Sequence, residues 1–209
     1  MIPFLNYFTP VIGNGWMFLA VLVFLILFFL YFKKIISAAP WKWYFAALLI
    51  FLLARAALRV LFQYLIWNSG PPSIYFLPPH QPISYFLKYI FIHHAASLLL
   101  TLGIVFIISF VFFFFAKSRE TADRRLWKVG EEYIFLSGAL ILRWPLVVPY
   151  LFLGILAAIV YFAFRRYILE EKVLTLQVSP FFAALVPLLL FLQETVLIAF
   201  NLKPLIMPL

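Results

Sequence analysis

The sequence predicts an all-α protein, a polytopic bundle of transmembrane helices, and three observations carry that prediction. Hydrophobic residues make up 67% of the 209 residues and charged residues only 11%, whereas a soluble domain is roughly half apolar and a quarter charged. The apolar residues fall in long runs, and a helix of roughly 20 such residues crosses a hydrocarbon core of about 30 Å. Finally, the basic residues gather in the connectors between the runs. A net charge of +9 would point to nucleic acid in a soluble protein. Here membrane orientation accounts for it, and no nucleic-acid partner is expected. The chain has no cysteine, which excludes disulfides, thiolate metal sites and cysteine nucleophiles.

Residues 15–32 form the first expected span, closed by Lys33 and Lys34. The segment ahead of it has neither a basic n-region nor a small-residue cleavage site, so it reads as a retained helix rather than a removed signal. A second span covers 43–67 and is bounded by Trp43 and Trp67, a residue that favours the headgroup level. Residues 68–82, NSGPPSIYFLPPHQP, predict a loop or partly extended lid, because proline lacks a backbone donor. The third run, 84–115, is longer than a perpendicular crossing requires and should tilt or protrude. Residues 117–132 are the strongly polar loop. Between 133 and 164 the apolar run is interrupted by Pro145 and Pro149. Two short helices, 133–147 and 149–164, forming a tight hairpin are the expected arrangement, and one long kinked helix is its rival. The last span, 179–200, opens on Ser-Pro, a good helix start.

With the N-terminus outside and six segments alternating, Lys33, Lys34, Lys42, Lys117, Arg119, Arg124, Arg125, Lys128, Arg165, Arg166 and Lys172 all fall inside. Only Lys203 falls outside, which agrees with the positive-inside rule. Five segments result if 133–164 is one kinked helix, and Arg165, Arg166 and Lys172 are then exported. The whole chain, 1–209, reads as a single integral membrane domain of a cell inner membrane. A weak internal repeat relates 41–115 to 127–200: FLLARAALR, residues 51–59, overlays FLSGALILR, residues 135–143. A true duplication conflicts with the charge rule unless 133–164 is re-entrant, and the charge rule is preferred.

Against this apolar background the ionic residues stand out. Arg55 and Arg59 lie four residues apart, on one helical face, roughly 18 and 24 Å from Trp43 along the second span. Gln193 and Glu194 lie roughly 21–23 Å from Ser179 along the last span, at similar depth. His93 and His94 follow Lys88 on the third span, and Arg143 closes the fourth segment just before Pro145. Separate helices thus bring Arg, His and Glu to one slab in the outer half of the membrane. A lone charge at mid-span costs roughly 2.5–3.5 kcal/mol on insertion scales, so these groups should face one another. Glu194 is the expected counter-ion of Arg55 or Arg59. Two readings follow. In one, the cluster is an ion-pair network fixing helix packing. In the other, it is a net-positive pocket for a phosphate, a carboxylate or an anionic lipid headgroup, which arginine binds bidentately.

Other chemistry finds little support. Adjacent histidines point about 100° apart on a helix, so His93 and His94 do not make a bis-histidine b-type haem site, and no cofactor or metal is expected. There is no P-loop, Gly-rich nucleotide fingerprint, HExxH or GxSxG. Asp123 is the only aspartate, which rules out an intramembrane aspartate dyad. Glu194 acting with His93 or His94 as the acid–base pair of a lipid-modifying enzyme is the one catalytic alternative.

Residues 165–200, RRYILEEKVLTLQVSPFFAALVPLLLFLQETVLIAF, resemble the YggT (YlmG-like) small membrane proteins. Arg143, the Arg165–Arg166 pair and Ser179–Pro180 fall in the order of that family's repeat. Gln177 stands where the family has an aspartate before Ser-Pro, and the proline after the arginine pair is missing. The likeness covers about 70 residues. It implies a membrane protein tied to osmotic or division-related physiology, without established catalysis. The expected function is therefore non-enzymatic: a transport, accessory or assembly subunit that binds an anionic group near Arg55, Arg59 and Arg143. Its partners are the lipid bilayer, anionic lipid and other membrane subunits. A purely structural subunit of a larger membrane complex, its phenylalanine-rich faces buried against other chains, is the further alternative.

Overall fold

Phe32 is the last helical residue of the first apolar run, and the chain leaves the helix at Lys33 and Lys34, the second of which is left-handed at φ 59°. Two adjacent ammonium groups end the apolar run where water must begin. The computed structural model describes residues 2–37, 39–70, 73–118, 131–168 and 179–202. These form eight α-helices and no strand among the described residues: α1 (Ile2–Phe32), α2 (Ala39–Asn68), α3 (Ile83–Ile90), α4 (Ala96–Ser118), α5 (Glu131–Leu142), α6 (Val147–Tyr167), α7 (Ser179–Phe191) and α8 (Gln193–Ala199). The all-α prediction therefore holds. Most of the expected polar loop, residues 119–130, and the connector 169–178 lie outside the described residues.

By length and composition, α2 and α6 each suffice to cross a membrane, and two bent pairs raise the count to four. The expected count was six. The difference lies in the first and fourth expected segments, whose apolar helices Met17–Phe32 and Glu132–Leu142 are too short to count as spans, while two other anticipated spans are bent. The run 84–115 is not one tilted helix. A five-residue π-helical turn, Phe91–Ala95, separates α3 from α4, and the axis bends by 57° there. The run 179–200 is not straight either: α7 stops at Phe191, and α8 leaves at 95°.

The 133–164 segment is two helices, as preferred, but the division falls earlier than expected and the second helix is long. Residues 143–146 form the break, and α6 takes in Pro149 as its third residue. At that position the missing N–H removes no interior helix bond, so the proline is tolerated. The chain reverses at the break. Residues 135 and 150 would be about 22 Å apart on a continuous helix, yet the rings of Phe135 and Tyr150 stack 5.6 Å apart. The Tyr150 hydroxyl also donates to the Phe135 carbonyl at 3.2 Å. Gly138 makes the approach feasible, since a Cβ there would run into the Tyr150 ring.

That hairpin places α5 at the centre. Ile134 to Leu142 are buried without exception, and α5 packs against α1, α2, α4, α6 and α7. A helix that is apolar on every side requires such a position. Trp41 fills the α1–α2 seam edge-on to Phe24 at 5.2 Å, and the Tyr44 hydroxyl ties the two helices by donating to the Ala20 carbonyl at 2.7 Å. A second, smaller cluster of Trp67, Leu77, Phe86 and Ile90 joins the end of α2 to α3. It anchors the proline-rich segment, which includes a single 3-10 turn at Ser73–Phe76.

Candidate functional site

The break between α5 and α6 releases backbone groups from helical bonding. The Arg143 N–H still donates to Ala139 at 3.0 Å, and its carbonyl accepts from the Val147 N–H at 2.8 Å. At Trp144, α4 supplies hydrogen-bond partners to the backbone. The Thr101 hydroxyl oxygen accepts the Trp144 N–H at 2.8 Å, while the Ser97 hydroxyl donates to the Trp144 carbonyl at 3.3 Å. Thr101 in turn donates to the Ser97 carbonyl at 2.8 Å. Two hydroxyls one helical turn apart thus satisfy both polar groups of one peptide residue inside an apolar core, where an unpaired group is costly.

These bonds surround a residue in an uncommon conformation. Arg143 is left-handed, at φ 58°. A side chain there carries strain of about 1–3 kcal/mol that glycine would avoid. Its guanidinium is half-buried, and its Nε is buried with no hydrogen-bond partner among the described residues. The two neighbouring charges are of the same sign. Arg143 feels the positive charges of Arg55 and Arg59, and Arg55 feels that of Arg59. Both of these arginines are half-buried on α2. Arg143, Arg55 and Arg59 are thus near enough to repel one another electrostatically.

The acid expected among them stands elsewhere. Gln193 and Glu194 are exposed at the start of α8, and no ion pair joins Glu194 to any of these arginines among the described residues. The expected depth of Glu194 assumed a straight helix, and the 95° turn after α7 removes that premise. His93 lies in the π-helical turn and stacks on Tyr89, with ring centroids 4.2 Å apart. The side chain of His94 lies outside the described residues. Among the described residues no group of three or more His, Asp or Glu is arranged to hold a metal ion.

Ser97 and Thr101 were not singled out from the sequence. Their signal was nonetheless present: two hydroxyls at i and i+4 within the apolar run behind the histidines, a spacing that puts both on one face. Chemically, the arrangement offers guanidinium donors with no carboxylate paired to them among the described residues, which suits an oxyanion with two or more acceptor oxygens. Comparison of the chain with protein-family models, with curated proteins and with solved structures gave no match.

Proposed function

We propose that this protein is a non-enzymatic, multi-pass protein of a prokaryotic inner membrane that binds an oxyanion at Arg55, Arg59 and Arg143. In this reading it acts as a transport, accessory or assembly subunit. The observation that carries it is three mutually repelling guanidiniums with no carboxylate paired to them among the described residues, one with a buried and unpartnered Nε. A network that merely fixed helix packing would need an acid to offset like-charge repulsion.

Two helical rulers support a location near one membrane face. From Lys42 to Arg59, α2 rises about 26 Å, and from Arg165 back to Val147, α6 rises about 27 Å. Each ruler starts at a basic residue of the side assigned to the cytoplasm and ends beside the cluster. That depth lies just inside the far boundary of a hydrocarbon core of about 30 Å. The ligand is then a phosphate or carboxylate, either free or on a lipid headgroup. The resemblance of the C-terminal third to the YggT-like proteins belongs to the same proposal, as does the six-segment topology with the N-terminus outside.

The reading is tested by Arg59→Gln and Arg143→Gln in protein purified from membranes. Both variants are expected to insert and keep their helix content while losing anion binding by about tenfold or more per guanidinium, from the loss of a charge-assisted bond. If every such variant fails to insert or unfolds, the cluster is structural and the binding proposal falls.

A further inference from the structure

We propose that Ser97 and Thr101 are the positioning residues of this anion site. The inference rests on the reading just given, and adds how the site is held and which side chains tune it. The hydroxyls of α4 close both hydrogen bonds of the Trp144 residue, and the helical bonds at Arg143 close the other two. The dipeptide Arg143–Trp144 is thereby fixed at all four backbone polar groups. Held so, Arg143 keeps its left-handed backbone, and its guanidinium stays within reach of the charges of Arg55 and Arg59.

The need for such a clamp follows from electrostatics. Three cations repel one another, and without restraint the guanidinium of Arg143 would swing away from the other two. A site for one oxyanion requires them to converge before the ligand arrives, because ordering them on binding reduces affinity. Thr101 is fully buried, and a valine there would keep close to its size and shape. What valine lacks is the acceptor for the Trp144 N–H. The same site binds one phosphate-like group, whether from a lipid headgroup or from free phosphate.

The test uses full-length protein in phosphatidylcholine nanodiscs titrated with inorganic phosphate. A second set of discs, doped with phosphatidic acid, is read by native mass spectrometry for retained lipid. Binding in the first arm identifies a free anion, and binding confined to the second identifies a lipid phosphate. In whichever arm the wild type binds, Thr101→Val is expected to weaken binding by about tenfold, the effect of one misplaced charge-assisted contact. Thr101→Ser, which keeps the acceptor, is expected to restore it. Ser109→Ala removes another α4 hydroxyl, one that bonds only to the Val105 carbonyl, and should leave affinity unchanged.

If Arg143→Gln abolishes binding while Thr101→Val keeps full affinity, the positioning role is overturned and the anion site stands. If neither arm shows binding, or Arg143→Gln binds like the wild type, the anion site itself is overturned and the positioning role goes with it. Should Thr101→Val fail to reach the membrane, Ser97→Ala decides in its place, and unchanged affinity there overturns the proposal.

Discussion

At the end of α5 the backbone turns left-handed at a residue that carries a Cβ, and the usual occupant of such a helix end is glycine. Arg143 accepts the strain and keeps a side chain that a simple helix stop would not require. This separates two roles that a neutral substitution would confound. Arg143→Gly relaxes the backbone and deletes the cation together. Its thermal midpoint in detergent is expected to equal or exceed that of the wild type, with about 1 kcal/mol gained from released strain and repulsion. Anion binding is expected to disappear. A large drop in the midpoint would assign Arg143 a packing role instead. The pairing of Arg55 with Arg59 on one face of α2 was readable from their spacing alone, and Arg143 from its place at the end of an apolar run before a proline. The exclusion of Glu194 was not, because its expected depth presumed an unbroken helix through Leu192.

Among the elements, the proline rule succeeded only in part, and position within the helix explains why. Pro149 sits in the first turn of α6, where no N–H is owed to an interior bond. Pro187 sits inside α7, where its ring denies a bond to the carbonyl one turn back. Pro149→Ala is therefore expected to leave the thermal midpoint unchanged. Pro187→Ala should raise it, since interior proline disfavours a helix by up to about 3 kcal/mol. Equal effects in a melting experiment would contradict this account. Helix ends marked by charge, as at Lys33, were legible in the sequence. The bend at Leu192 was not, because it falls five residues beyond the obvious breaker and carries neither glycine nor proline. Nor was the π-helical turn at Phe91–Ala95, where one extra residue in a turn leaves no mark in composition. Packing partners distant in the chain are invisible to local pattern.

For the molecule as a whole, the absence of cysteine makes the topology directly measurable. Single cysteines placed at Lys34, Ser73, Arg166 and Asn201 can be labelled from either side with a membrane-impermeant maleimide. Positions 34 and 166 are expected to react together from one face, and 73 and 201 from the opposite face. Reaction of 34 and 166 from opposite faces would remove the six-segment alternation and the shared depth of the two rulers. One feature of the fold bears on the surroundings as well as on the chain. The straight portion of α7 has 13 residues and extends only about 20 Å, after which α8 turns aside. In the membrane arrangement proposed above, a wall that short requires the bilayer to thin by several ångströms, at a modest elastic cost. In that arrangement lipid phosphates around the dimple would ride deeper than elsewhere, nearer to the level proposed for the three arginines.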